Sequence, residues 1–256
     1  MVIGRIREHV AAHNWFAVSV DLAIVVVGVF IGTQANNWNE ARIARAGASE
    51  ARNEIIEDLK SNEIGLASRR AYYGTARDHA MAALTALERP DRPRGAQFLL
   101  DAYQATQTWQ RPLVRAGFEE MAAAGLTRYV GDRKTRSRLT NYYTQMPQFE
   151  ALAASATTYR ERLRRAMPYY VQMAAKAQCG ERVTFTTGGS QLRILPSGCR
   201  LSVGEMATSN ALSRLQAADL IEDLTRHIAD MDQKLAGIEG FTRQARELRL
   251  HLESID

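Results

Sequence analysis

Hydrophobic and polar positions along this chain fall into distinct regimes. From Trp15 to Gln34, WFAVSVDLAIVVVGVFIGTQ, nearly every position is apolar and Asp21 is the one ionisable residue. About 20 residues rising about 1.5 Å each give a helix of about 30 Å, the thickness of a bilayer's hydrocarbon core, so the run predicts a transmembrane helix. From Asn36 to about Leu87 apolar and small residues recur at helical spacing (Ile43, Ala46, Ile55, Ile56, Leu59, Ile64, Leu66), which predicts that the span runs on into a long helix ended by Pro90, Pro93 and Gly95. No other stretch is as long and charge-free, since Leu113 to Val130 is cut by Arg115, Glu119, Glu120 and Arg128.

Shorter helical segments follow. The pattern predicts helices over about Gln97 to Ala105 and Leu113 to Ala124, the second stopped at Gly125. A longer one begins after Gly131 and Asp132 and ends before Pro147, with Leu139, Tyr142, Tyr143 and Met146 on one side. Helix resumes from Phe149 to about Met173, kinked near Pro168. A final helix from Ser209 to Leu252 carries a stripe through Leu212, Leu215, Leu220, Ile221, Leu224, Ile228, Met231 and Leu235, with a bend at Gly237 and Gly240. Amphipathic helices joined by short connections predict a bundle.

One segment alternates as β-structure. Arg182 to Thr187 and Ser190 to Leu195 flank Gly188-Gly189, a two-residue hairpin signal. Pairing about that turn sets Val183 opposite Ile194 and Phe185 opposite Leu192, with Thr184, Thr186, Gln191 and Arg193 on the other face. A three-residue turn centred on Gly189 would align Cys179 with Cys199 but mix apolar and polar partners, so the Gly-Gly turn is preferred. Either turn brings Cys179 and Cys199 near each other. A disulfide between them would stabilise the hairpin by roughly 3 kcal/mol on the chain-entropy model and would persist only in an oxidising compartment. The expected fold is therefore mainly α: a transmembrane helix continuing into a helical bundle with one disulfide-linked β-hairpin. Its divisions are a short N-terminal segment (1–14), the span (15–35) and a helical domain (36–256) with its hairpin at 182–195.

Composition and charge refine this little. The chain is 46% hydrophobic and 24% charged, so outside the span it has the make-up of an ordinary folded domain. The net charge is +5, carried mostly by arginine. Arg128, Arg133, Lys134, Arg136 and Arg138 cluster, as do Arg160, Arg162, Arg164 and Arg165, but no nucleic-acid motif accompanies them. They read as solvated faces interleaved with acidic partners, and no nucleic-acid partner is expected. Arg5 and Arg7 before the span are matched by Arg42, Arg45 and Arg52 after it, so flanking charge does not orient the chain. The cysteine pair does, placing the C-terminal domain outside the cytosol. Arg5, Arg7 and the small residues around Thr33-Gln34-Ala35 also fit a cleaved leader; the length of the run, its carboxylate and the unbroken helical pattern beyond it favour an anchor.

Candidate chemistry is sparse. His9, His13, His79, His227 and His251 are scattered without ligand spacing, and there is no His-Glu-x-x-His. Gly188-Gly189 belongs to the hairpin and not to a phosphate loop. The adjacent carboxylates Glu57-Asp58 and Glu222-Asp223 diverge on helices. No catalytic residue, metal or cofactor is expected, and the chain does not read as an enzyme.

The span offers more. At 100° per residue Ala17, Asp21, Gly28, Gly32, Ala35 and Asn39 fall on one stripe within about 60° of each other, and Gly28 to Gly32 is a GxxxG. Small residues let helix backbones approach in lipid, so this stripe predicts association with a second copy or another membrane protein. Asp21 lies about 9 Å along the helix from Trp15, where a lipid-facing carboxylate is costly. It is either protonated, turned to the headgroups, or held by a partner.

The stretch Asp21 to Glu40, closing on Gln34, Asn36, Asn37, Trp38, Asn39 and Glu40, and the later Glu54-Ile-Ile-Glu-Asp-Leu-Lys60, resemble a family of bacterial single-span membrane proteins of unknown function. Its members carry an acid early in the span and an Asn-Asn-Trp-Asn-Glu exit. Gly125 to Val130 and Leu139 to Tyr143 resemble a second patch of that family more weakly. Asp21 stands where Glu is usual, and Gly32 and Thr33 also depart from the pattern. The resemblance implies an inner-membrane protein with a cytoplasmic N-terminus and a periplasmic domain, and transfers no catalytic residue. The layout is also similar to that of proton-driven stator and energy-transducer subunits, without their downstream pattern. The expected function is an oligomeric, membrane-anchored interaction or sensing module; the alternative is a proton-pathway subunit using Asp21. Trp109, Tyr142, Tyr143, Tyr169 and Tyr170 are candidate surface aromatics, although tyrosine pairs on helices more often pack.

Overall fold

The computed structural model describes residues 15–89, 91, 94–155 and 157–255, and the side chain of Ala17 is also outside the description. The expected N-terminal segment, with Arg5 and Arg7, lies outside the described residues. Helix α1 (Trp15–Glu88) runs 74 residues without a break, about 110 Å. It contains no proline, is rich in alanine, and stops just before Pro90. The rest of the chain is built against its distal half: α2 (Ala96–Gln104), α3 (Ala116–Ala123), a 3-10 turn (Leu126–Tyr129), α4 (Arg133–Ala154), α5 (Thr158–Ala166), α6 (Tyr169–Cys179), β1 (Arg182–Phe185), β2 (Gln191–Ile194), α7 (Glu205–Ala218) and α8 (Ile221–Glu253). The fold is mainly α with one small two-stranded antiparallel sheet.

The main packing is α1 against α8, running antiparallel. Buried positions on α1 recur at spacings of three and four, as in Ile55, Leu59, Asn62, Leu66, Arg69 and Tyr73; α8 answers with Leu224, Ile228, Met231, Ile238, Phe241, Ala245 and Leu248. That period keeps one seam facing one partner over many turns. The direction is fixed at both ends: Arg249 Nε lies 2.6 Å from Glu63 Oε1, and Arg77 pairs with Asp232. Stacked rings carry α4 onto the seam, with Tyr142 and Phe149 at 4.7 and 4.6 Å from Phe241.

Several boundaries differ from the sequence pattern. α4 passes through Pro147, which sits on the exposed side while Met146 is buried. The C-terminal stretch is two helices, broken at Asp219, whose φ of 44° is left-handed. α8 then runs through Gly237 and Gly240 without a break. A glycine lowers helix propensity by about 1 kcal/mol, which a well-packed seam overrides.

The hairpin's register is a correction. Val183 pairs with Arg193, Thr184 with Leu192 and Phe185 with Gln191, one residue away from the Gly-Gly alignment. The loop is Thr187-Gly188-Gly189: the amide of Gly189 donates to the carbonyl of Thr186 at 3.0 Å, and that of Thr186 to the carbonyl of Ser190 at 2.9 Å. Only Gly189, at φ 79°, is left-handed. This is the three-residue connection in which a type I turn is followed by a left-handed glycine. Alternation sets register only where one sheet face is buried. Here neither is: Val183 and Phe185 stay exposed, and β2 meets α1 edge-on, with Leu195 buried.

The disulfide joins Cys179, at the end of α6, to Cys199 beyond β2, with Cα atoms 5.7 Å apart. Glu181 locks this unit to α1, accepting from Tyr72 Oη at 2.9 Å and from Arg193 Nη1 at 2.6 Å.

Candidate functional site

The proximal part of α1 is bare. An 18-residue window in this part has a mean hydropathy of 2.0 and none of it is buried, so this is a helix long and apolar enough to cross a membrane. Ser19 and Thr33 donate their hydroxyls to the carbonyls of Trp15 and Phe30, at 2.8 and 2.9 Å. These two hydroxyls are thus satisfied within the helix, as a hydrocarbon environment demands. Trp15 and Trp38, both largely exposed, stand about 35 Å apart along the axis, the spacing of two interfacial aromatic belts.

The exit motif remains helical through local bonds. Asn36 Nδ2 donates to Glu40 Oε1 at 2.7 Å and Arg42 donates to Asn39 Oδ1 at 3.3 Å. Gln34, Asn37 and Trp38 are exposed on the same helix. Gly28 and Gly32 face open space, with no atom within 4 Å of where a Cβ would stand. Asp21 is half-buried by its own helix and has no side-chain hydrogen bond among the described residues; Ala35 is exposed. Ala17 lies on α1, with its side chain outside the description. At 100° per residue, the stripe of Asp21, Gly28, Gly32 and Ala35 points roughly 180° away from Ala48, Ile55 and Leu59, where the helix first enters its own domain.

Polar groups in the distal half behave differently. Asn62 donates to the carbonyl of Val114 and accepts from its amide, both at 2.7 Å. Asp58 accepts from the amide of Gly117 at 2.8 Å, and burial raises its pKa against that bond. Tyr73 Oη accepts from the amide of Trp109 at 2.9 Å and donates to the carbonyl of Ala153 at 3.0 Å. α1 thereby holds the extended connection between α2 and α3.

His79, buried, meets Asp101 Oδ1 at 2.8 Å and the carbonyl of Pro196 at 3.2 Å. Burial opposes its charge, but two acceptors, the Asp101 carboxylate foremost, hold its pKa above the ordinary value. His227 is the opposite case. Burial lowers its pKa, its Nε2 donates to the carbonyl of Ala105 at 2.8 Å, and its Nδ1 therefore accepts from Thr157 at 2.8 Å. Neither histidine has a free nitrogen, and among the described residues no three metal-binding side chains converge.

Of the aromatics, Trp109, Tyr142 and Tyr143 are core residues, at 1%, 2% and 5% exposure, while Tyr169 and Tyr170 are exposed. The second arginine cluster is not a free solvated face either. Arg160 donates to the carbonyl of Thr106, Arg162 pairs with Asp223, and Arg164 lies 4.2 Å from the ring centroid of Tyr103. Lys234, outside both basic clusters, emerges as a buried cation that spacing alone marks only by its place on the apolar stripe of α8.

No family model, curated protein or solved structure matches this chain.

Proposed function

We propose that this chain is a membrane-anchored, extracytoplasmic helical interaction or sensing module that associates through its span, as its resemblance to the bacterial single-span family implies. The observation that carries the reading is the division of α1. Its distal half is wrapped by its own domain on one side, and the small-residue stripe of Gly28 and Gly32 lies on the opposite side, open to a partner. Ile64, Ala67, Ala71 and Ala82 continue the phase of that stripe and are exposed, with β2 flanking the first three. The Cys179–Cys199 bond supports a periplasmic domain, and hence a cytoplasmic N-terminus in the inner membrane.

The test is the oligomeric state of the full chain in detergent and in liposomes. The wild type is expected to crosslink as an oligomer, and a Gly28→Leu, Gly32→Leu variant to run as a monomer with unchanged helicity. A monomeric wild type in both media would overturn the reading. Asp21 supports the second reading, a proton-pathway subunit, because it shares the open stripe. Asp21→Asn separates the two: an interaction module keeps partner binding, whereas a proton-coupled subunit assembles normally and loses function.

A further inference from the structure

We infer that the cleft between the start of α5 and the middle of α8 binds a small monoanionic carboxylate, with Lys234 as its counter-ion. The cleft encloses about 210 Å³, with Ser155, Thr157 and Thr158 on one wall and His227, Asp230 and Lys234 on the other. That is the space of roughly seven water molecules, enough for an acetate- to pyruvate-sized molecule.

Lys234 carries the inference. It is 7% exposed, and among the described residues its amine has no hydrogen-bond acceptor and no carboxylate within 4.0 Å. The ring of Tyr73 lies beside it, 4.8 Å from the amine to the centroid. A ring face tolerates a cation but supplies no lone pair. Buried cations are ordinarily paired, and this one opens onto a cleft.

The other wall is suited to the same charge. The first turn of α5 lines the cleft; Thr157 Oγ1 already caps the amide of Arg160, and the helix N-terminus still presents partial positive charge to an anion. His227 adds no charge, because both of its nitrogens are engaged and burial keeps it neutral. Asp230, one turn before Lys234 on α8, contributes a negative charge to the same wall, which also carries Arg226 and Asp223, the latter paired with Arg162. Two cations, Arg226 and Lys234, beside two acids, Asp223 and Asp230, leave no excess positive charge, so the cleft accommodates a single negative charge better than two, which favours a carboxylate over a phosphate dianion. The cleft is complete within one chain, so the inference is independent of association through the span.

Titration calorimetry on the full chain in detergent micelles, with sodium acetate, pyruvate, phosphate and chloride at matched ionic strength, tests it. Acetate and pyruvate are expected to bind with Kd of about 1 mM or tighter, and chloride not at all. Lys234→Met removes an unpaired buried charge, so it should melt no lower than the wild type while weakening pyruvate at least about tenfold. Asp230→Asn should strengthen pyruvate by about threefold. Burial pushes the Lys234 ammonium down to about 8, so affinity should fall as pH rises above that value; Asp223, Arg226, Asp230, His227, Tyr73 and Tyr159 are the charged and titratable neighbours. Undiminished binding to folded Lys234→Met, tighter binding of phosphate than of pyruvate, or no heat with any carboxylate at about 50 mM would each overturn the inference.

Discussion

The two halves of α1 use one helical period in two different ways. Up to Gly47 the helix has no fully buried position among the described residues, and the side-chain hydrogen bonds formed there, as by Asn36 and Arg42, stay within the helix. From Ala48 onward one face is buried at every turn, and its polar side chains reach distant backbone. Asparagine makes the contrast plain. Asn36 pairs with Glu40 one turn away, whereas Asn62 holds both polar groups of Val114, 52 residues distant. A polar residue on a bare helix solves a local problem; on a wrapped helix it fixes tertiary structure.

The largest expected effect tests the wrapping itself. Leu59 is fully buried, and Leu59→Ala should destabilise the domain by about 4 kcal/mol through lost transfer energy and a residual cavity. Val26→Ala, on the exposed part of α1, should leave the urea midpoint of the domain unchanged in micelles. Comparable losses from both substitutions would mean that the proximal half is also buried in a folded core.

Next come the asparagines. Asn62→Leu strands the amide and carbonyl of Val114 and should cost about 2 kcal/mol in chemical denaturation. Asn36→Leu removes only a local pair and should change stability by less than about 0.5 kcal/mol.

A pH series reaches the far end of the wrapped half. The pKa of folded His79 is raised above 6.5 by Asp101 and the Pro196 carbonyl in spite of burial. Its contribution is therefore fully present below the unfolded value and is lost as pH rises through the folded one. Thermal melts between about pH 6 and 9 should show that loss in the wild type, and His79→Gln should flatten it. A decline of the same size in His79→Gln would assign the effect elsewhere.

Much of this organisation was legible in the sequence. The long apolar helix, its run into the domain, the bundle and the disulfide all follow from periodicity and from two cysteines bracketing one alternating segment. The breaks were less legible because packing decides them: Pro147 is carried through α4, Gly237 and Gly240 through α8, while Asp219 makes the turn. At the candidate site the stripe of Asp21, Gly28 and Gly32 was readable as a phase, but not its relation to the wrapped face, which depends on where the domain grips α1. Asn62, Arg69, His79 and Lys234 sit at core positions of their helices. That polar-in-phase signal was available, but only tertiary partners tell a staple such as Asn62 from an unpaired cation such as Lys234.

The smallest effect tests the hairpin, which rests on the wrapped half. A two-residue Gly-Gly turn of type I′ would hold both glycines at positive φ and make both intolerant of a side chain. In the observed three-residue loop only Gly189 is left-handed, at φ 79°, with no atom within 4 Å of its missing Cβ. Gly189→Ala should therefore cost about 1 kcal/mol from backbone conformation alone. Gly188 lies at ordinary φ, its nearest neighbour being Thr186 Oγ1 at 3.9 Å, so Gly188→Ala should be close to neutral. Equal penalties in thermal melts would restore the Gly-Gly register, and with it Val183 opposite Ile194. An asymmetric pair would fix the shifted register that leaves Phe185 exposed and seats β2 edge-on against α1.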